Sequence, residues 1–171
     1  MLEVGDTVTR ALKTELAFAL GDADPGVREA AYGLAARLND ARITPLLVDY
    51  AAHKDPVMAA GAIKCLGKLK PPGLVKLLAG IMKSAKDQAL QVACCQALGQ
   101  VADPAAVEPL TRILTSGGFL RFRKRWPADV RAAAAYALAQ ISDPRAAKTL
   151  ASLAKDPDPR LKQLARTATK K

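Results

Sequence analysis

The chain has 171 residues, half of them apolar, only seven aromatics and a formal charge of +10 at neutral pH. That is enough to bury a sizeable core in one domain, and few aromatics among many apolar residues suit helices stacked through small side chains. No stretch approaches the roughly eighteen apolar residues of a membrane span, and the first ten residues lack the basic-then-apolar order of a signal peptide, so a soluble, cytoplasmic protein is expected.

One register runs down the chain. Anchored on Val27, Met58, Leu90, Val130 and Leu161, it recurs at intervals of 31, 32, 40 and 31 residues, the spacing of a helical repeat array. A first helix over residues 7–20 precedes it. Placing Leu16 on Leu150 brings Ala17 onto Ala151, Asp22 onto Asp156, Asp24 onto Asp158 and Pro25 onto Pro159, so this helix reads as the second half of a two-helix unit. Four full units follow, each opening near an anchor. Three residues beyond the anchors stand Ala30, Gly61, Ala93 and Ala133, where only a small side chain lets two helices approach. Eleven beyond are Leu38, Leu69, Val101 and Ile141, and twenty beyond are Leu47, Leu78, Leu110 and Leu150. Asp40, Pro71, Asp103 and Asp143 fall thirteen beyond and cut each unit into two helices of about twelve residues by an N-cap or Pro signal. Residues 159–169 close the chain as a lone first helix. Apolar spacings of three and four fit helices throughout, and no run alternates with the period a strand requires. About nine or ten helices in an all-α fold are expected, with atypical end units that cap the array or meet a longer array or another protomer.

The motifs Asp24-Pro25, Val27-Arg28 and Ala30-Ala31, then Asp55-Pro56 with Met58, Leu98-Gly99 before Asp103-Pro104, and Val130-Arg131 with Asp143-Pro144 resemble the HEAT-repeat family, in particular the bacterial HEAT-like repeats of the phycobilisome-lyase type. The resemblance covers nearly the whole chain. It implies a single α-solenoid domain over residues 1–171, about four full repeats plus half-repeat caps, with first helices on the convex side and second helices lining a concave side. It implies little about chemistry. The residue after the anchor is Ala59 in the second repeat and Gln91 in the third, so a ladder from Asp to Arg between repeats is interrupted there.

Catalytic signals are missing. There is no glycine-rich phosphate loop, nucleophile elbow or His-Glu-x-x-His, and His53 is the single histidine. Cys65, Cys94 and Cys95 lie on predicted first helices without the spacing of a disulfide framework, and the adjacent pair points about 100° apart, so buried structural cysteines are expected rather than a metal site. Most carboxylates sit near helix starts, where capping accounts for them. Arg28 and Arg131 fit inter-repeat hydrogen bonds, and Tyr32, Tyr50 and Tyr136 fit core or rim positions. No enzyme activity, metal or cofactor is expected.

Charge is unevenly spread: residues 1–60 carry 6 Lys/Arg against 9 Asp/Glu, and residues 61–171 carry 20 against 7. Positions 18, 22 and 25 after each anchor lie about 130° round the second helix from its apolar residues, so they face outward. In three consecutive repeats they supply Lys76, Lys83, Arg112, Lys148 and Lys155, with Glu108 the one acid among them. The stripe fits a basic binding groove and equally a solvated face. Like charges on helices about 10 Å apart repel by only about 0.4 kcal/mol in water, less in salt, so the stripe is cheaply tolerated.

The long interval adds some 8 residues between the second helix of one unit and the first helix of the next, within residues 115–129. The insertion carries Phe119, Phe122 and Trp126 interleaved with Arg121, Arg123, Lys124 and Arg125. Basic residues among aromatics suit phosphates, stacked bases or an acidic partner, while aromatics folded back over a repeat edge are the plainer alternative. A non-catalytic scaffold is expected, binding an acidic protein or peptide through groove and loop. The alternatives are a DNA- or RNA-binding protein whose groove follows the phosphate backbone and, from the repeat subtype alone, a lyase or chaperone subunit for a bilin-bearing protein.

Overall fold

The computed structural model describes residues 2–116 and 126–168, and among these the regular structure is wholly helical. The chain divides into two compact units, residues 1–72 and residues 73–171. The first holds α1 (Leu2–Leu20), α2 (Pro25–Leu38), α3 (Thr44–Ala51) and α4 (Pro56–Leu69). In it α2 packs on both α1 and α4, and α3 packs on α4. The second holds α5 (Leu74–Ser84), α6 (Gln88–Val101), α7 (Val107–Thr115), α8 (Ala128–Ala139), α9 (Pro144–Ser152) and α10 (Pro159–Ala168). Here α8 is central: it lies along α6 and also meets α7, α9 and α10. Helix α1 starts at Leu2 rather than near residue 7, longer than its sequence pattern implied.

The helix starts follow the carboxylates. Asp24 accepts the Gly26 N–H at 2.6 Å, Asp55 that of Val57 at 2.8 Å, Asp87 that of Leu90 at 2.8 Å and Asp158 that of Arg160 at 2.9 Å. Asp40, Asp103 and Asp143 do the same at the 3-10 turn or helix that opens each second half. Each such cap contributes about 1 kcal/mol. Three first helices end on a left-handed residue, Asn39, Lys70 and Ala102, each returning its N–H to the carbonyl four residues back. Only Asn tolerates that conformation readily, so Lys70 and Ala102 hold it against a steric penalty.

The repeated leucines form the core: Leu47, Leu78 and Leu110 are fully buried and Leu150 nearly so. Small residues act where helices cross. A Cβ on Gly99 would lie 2.9 Å from the Ala137 Cα, so α6 and α8 meet backbone to backbone there. A Cβ on Gly61 would strike the Tyr32 ring, whose hydroxyl donates to the Met58 carbonyl at 2.8 Å. Tyr50 likewise donates to the Ala17 carbonyl at 2.8 Å. Tyr32 and Tyr50 are thus half-buried links between neighbouring helices, whereas Tyr136 is exposed on α8. Burial pushes the Tyr32 phenol up to about 12.

Candidate functional site

The basic side chains of the second unit divide into two populations. This unit has 17 Lys/Arg against 7 Asp/Glu over residues 73–171, and its arginines occupy much of the negative charge. Arg131, buried on α8, pairs with Asp156, whose carboxylate also accepts the Asp158 N–H at 3.0 Å. Arg145 grips Asp143 through Nε at 3.0 Å and Nη2 at 2.8 Å, and reaches the Pro104 carbonyl at 3.2 Å. Arg160 joins Asp158 to Asp129, both at 2.9 Å, and Gln88 completes that line by donating to Asp129 at 3.0 Å. Helices α6, α8 and α10 are therefore tied together at their N-terminal ends.

Two of these grips, and one in the first unit, share a pattern that sequence reading passed over: Asp143 with Arg145, Asp158 with Arg160 and Asp40 with Arg42, an Asp followed by Arg two residues later. The carboxylate caps the Arg backbone N–H while the planar guanidinium closes on the same oxygens, a geometry that Lys cannot reproduce. Hydrogen bonding from the arginine side chain holds the Asp40, Asp143 and Asp158 carboxyls below their usual range. The short spacing was the available signal.

The lysines do the opposite. Lys76 and Lys83 on α5, Lys148 on α9 and Lys155 in the 3-10 turn after it are all exposed. Among the described residues each ion pair is made by an arginine, and these four lysines make none. Arg112 on α7 is exposed as well, but it is paired with Glu108 one turn earlier, so the fifth member of the stripe is largely neutralised. The Thr111 and Thr149 hydroxyls meet at 3.1 Å between α7 and α9, one residue from Arg112 and Lys148, which brings those two outward faces side by side. Helix α5 touches the 3-10 turn that leads into α7. The stripe residues thus occupy the outward faces of consecutive second helices.

Of the insertion, Trp126 is half-buried just before α8, and Phe119, Arg121, Phe122, Arg123, Lys124 and Arg125 lie outside the described residues. The cysteines are buried, with Cys95 Sγ 3.7 Å from the Met82 sulfur. Burial pushes the Cys65 thiol up to about 11 and those of Cys94 and Cys95 to about 12, so none is poised as a thiolate. Among the described residues no three His, Cys, Asp or Glu side chains gather as a metal site would require, and no helix is long and apolar enough to cross a membrane. The residues after the anchors differ in use: Arg28 donates to the Asp22 and Ala23 carbonyls before its helix and Gln91 to the Ala85 carbonyl, whereas Arg131 reaches forward to Asp156.

Stacked helical hairpins with capped starts, buried leucines and small residues at the crossings define a helical repeat protein. The family model for HEAT repeats matches residues 12–91, 45–123 and 118–169, and the chain belongs to that family. The chain is similar in fold to the complex of CpcE and CpcF of phycocyanin lyase from Nostoc sp. PCC7120, with a TM-score of 0.72, 17% identity and coverage of 93% of this chain and 98% of that one. It is more distantly similar to human deoxyhypusine hydroxylase in complex with glycerol, with a TM-score of 0.48, 18% identity and coverage of 94% and 73%. No curated protein matches it in sequence.

Proposed function

We propose that this HEAT-repeat chain is a non-catalytic scaffold that binds an acidic protein or peptide across the second helices of its second unit. The observation that carries this reading is the division of the cations. Arginines hold five of the seven carboxylates of the unit, while Lys76, Lys83, Lys148 and Lys155 stand exposed and make no ion pair among the described residues. Unpaired lysines on the second helices either side of α7 set up a field that steers and retains an acidic surface, at little cost to the fold. The sequence of the insertion, with Phe119, Arg121, Phe122, Arg123, Lys124, Arg125 and Trp126, offers the same partner further cations and aromatic anchors.

The test titrates the purified protein, by fluorescence anisotropy, with a labelled glutamate-rich peptide and with a single-stranded oligonucleotide of equal charge. Preferential binding of the peptide, lost in Lys76→Glu/Lys148→Glu with an unchanged melting curve, supports the reading. Preference for the oligonucleotide, with a salt slope that falls by about one per lost phosphate contact, replaces it with phosphate-backbone binding. Equal binding by wild type and variant returns the stripe to a solvated face. A second reading, a subunit of a lyase or chaperone complex for a bilin-bearing protein, draws on the repeat subtype and on the fold likeness to the phycocyanin lyase complex at matching length.

A further inference from the structure

The repeats give an internal control for what each surface normally touches. Helices α9 and α10 with their connecting loop correspond to α1 and α2 with theirs, Leu150 matching Leu16, Asp156 matching Asp22 and Leu161 matching Val27. The later pair is closed by α8; no described helix takes that place against the earlier pair. The exposures record the difference. Val27, Leu34 and Leu38 on α2 are 42, 40 and 41% exposed, whereas at the repeat position of Leu34 the residues Cys65, Ala97 and Ala137 are all buried. In place of Val27, Val130 and Leu161 are buried and Met58 and Leu90 half-buried; in place of Leu38, Ile141 is buried and Leu69 and Val101 half-buried. These three side chains with exposed Ala30 make one stripe along α2, at the spacing of three, four and seven that marks a helix-packing face.

The polar groups of that edge are open in the same way. Asp156 is buried beneath Arg131 of α8 and accepts the Asp158 N–H. Asp22 accepts the corresponding Asp24 N–H at 2.8 Å, and among the described residues its exposed carboxylate makes no ion pair, Arg28 bonding its backbone carbonyl at 2.7 Å instead. Helix α1 also runs unbroken from Leu2. It continues through residues 6–9, which match the turn at residues 140–143 between α8 and α9, so within the described residues this edge has no counterpart of the α8–α9 turn. A second copy offers a poor cover, because its end helix α10 presents Lys162 and Arg166 where α8 presents Arg131 and Ala135.

We propose that the α1–α2 edge is a docking surface for a first helix of a HEAT-type partner chain. That helix carries an apolar residue followed by Arg and by Ala four and five residues on, the Arg pairing with Asp22 and the apolar face covering Val27, Leu34 and Leu38. This proposal uses none of the lysine-face residues, and the inference stands or falls without them.

The probe is a helix-stapled, fluorescein-labelled peptide of residues 127–142, which holds that pattern, titrated into the intact protein by anisotropy and mapped by amide chemical shifts. Saturable binding with shifts confined to α1 and α2 is expected. Leu34→Asp should weaken it at least about tenfold, since a charge then meets the apolar face. Asp22→Lys should weaken it as well and recover when the peptide Arg131 is replaced by Glu. Both exchanged protein side chains, Leu34 and Asp22, are exposed, and superimposable circular dichroism melts check that folding is intact. No binding at 100 µM peptide, roughly −5.5 kcal/mol, overturns the proposal. So do shifts centred on Lys76 to Lys83, or affinity indifferent to Leu34→Asp. A concentration-dependent dimer in light scattering that Leu34→Asp abolishes would put a second copy on this edge and overturn the choice of partner.

Discussion

Replacing Asp156 by Ala removes the counter-charge of Arg131 while leaving the guanidinium in the core. The Arg131 side chain is only 4% exposed and that of Asp156 9%, so solvent cannot substitute for the lost carboxylate. Breaking a buried pair by deleting one partner costs about 3–5 kcal/mol. The Asp158 N–H, which bonds Asp156 at 3.0 Å, also loses its acceptor, at roughly 1 kcal/mol. A loss of about 4–6 kcal/mol is expected for Asp156→Ala. Arg131→Met with Asp156→Asn retains an acceptor for Asp158 and removes both charges, so it should lie within about 2 kcal/mol of wild type. Urea denaturation followed by fluorescence of Trp126, the single tryptophan, half-buried before α8, reads this unit directly. A loss below about 1 kcal/mol for Asp156→Ala, or a double variant as unstable as the single one, would refute the buried-pair account.

The two glycines on exposed and crossing faces should respond with opposite sign. Nothing lies within 4 Å of a Cβ on Gly80 in the interior of α5, so Gly80→Ala should stabilise by about 0.5–1 kcal/mol, whereas Gly99→Ala, facing the Ala137 backbone, should destabilise by about 1–3 kcal/mol in the same urea assay. Ala102 sits at a φ of 56°, so Ala102→Gly should raise the melting temperature, by a net gain of about 0.5–1 kcal/mol, and a drop would show that the left-handed cap is not strained. The folded state keeps Cys65, Cys94 and Cys95 protonated up to about 11, 12 and 12, while the unfolded thiols ionise near 9, so the unfolded chain binds fewer protons between these values and stability should fall as pH rises above about 9. Each fully buried thiol adds a slope of up to about 1.4 kcal/mol per pH unit. Urea midpoints that stay level from pH 8 to 10, or native thiols that react at once with a disulfide reagent, would contradict this.

Much of the fold was legible because the packing repeats. Leu47, Leu78, Leu110 and Leu150 recur in one register and are all core, and the Asp-Pro pairs mark helix starts that the carboxylates do cap. What stayed hidden depends on which way a side chain turns. Arg28 and Arg131 share a repeat position, yet one bonds the loop before its helix and the other the loop after the next, where His53 stands in place of Asp156 on the Arg28 side. The stripe was legible as residues on a face but not as charge, since the Glu108 that neutralises Arg112 sits one turn away on the same helix and was counted only as an interruption. The exposed edge of α2 was invisible for a related reason: Val27, Leu34 and Leu38 carry the core pattern of a repeat and differ only in lacking a neighbour.

The division between structural arginines and open lysines is tested most directly by measuring, side by side, the melting temperature and the affinity for the glutamate-rich peptide in two variants. One replaces Lys76, Lys83, Lys148 and Lys155 with Ser; the other carries Arg131→Met. The lysine variant should melt as wild type does and lose at least about tenfold in affinity, while Arg131→Met should melt lower and, below its transition, bind as wild type does. A lysine variant that binds normally, or an Arg131→Met protein that melts normally and fails to bind, would contradict that division.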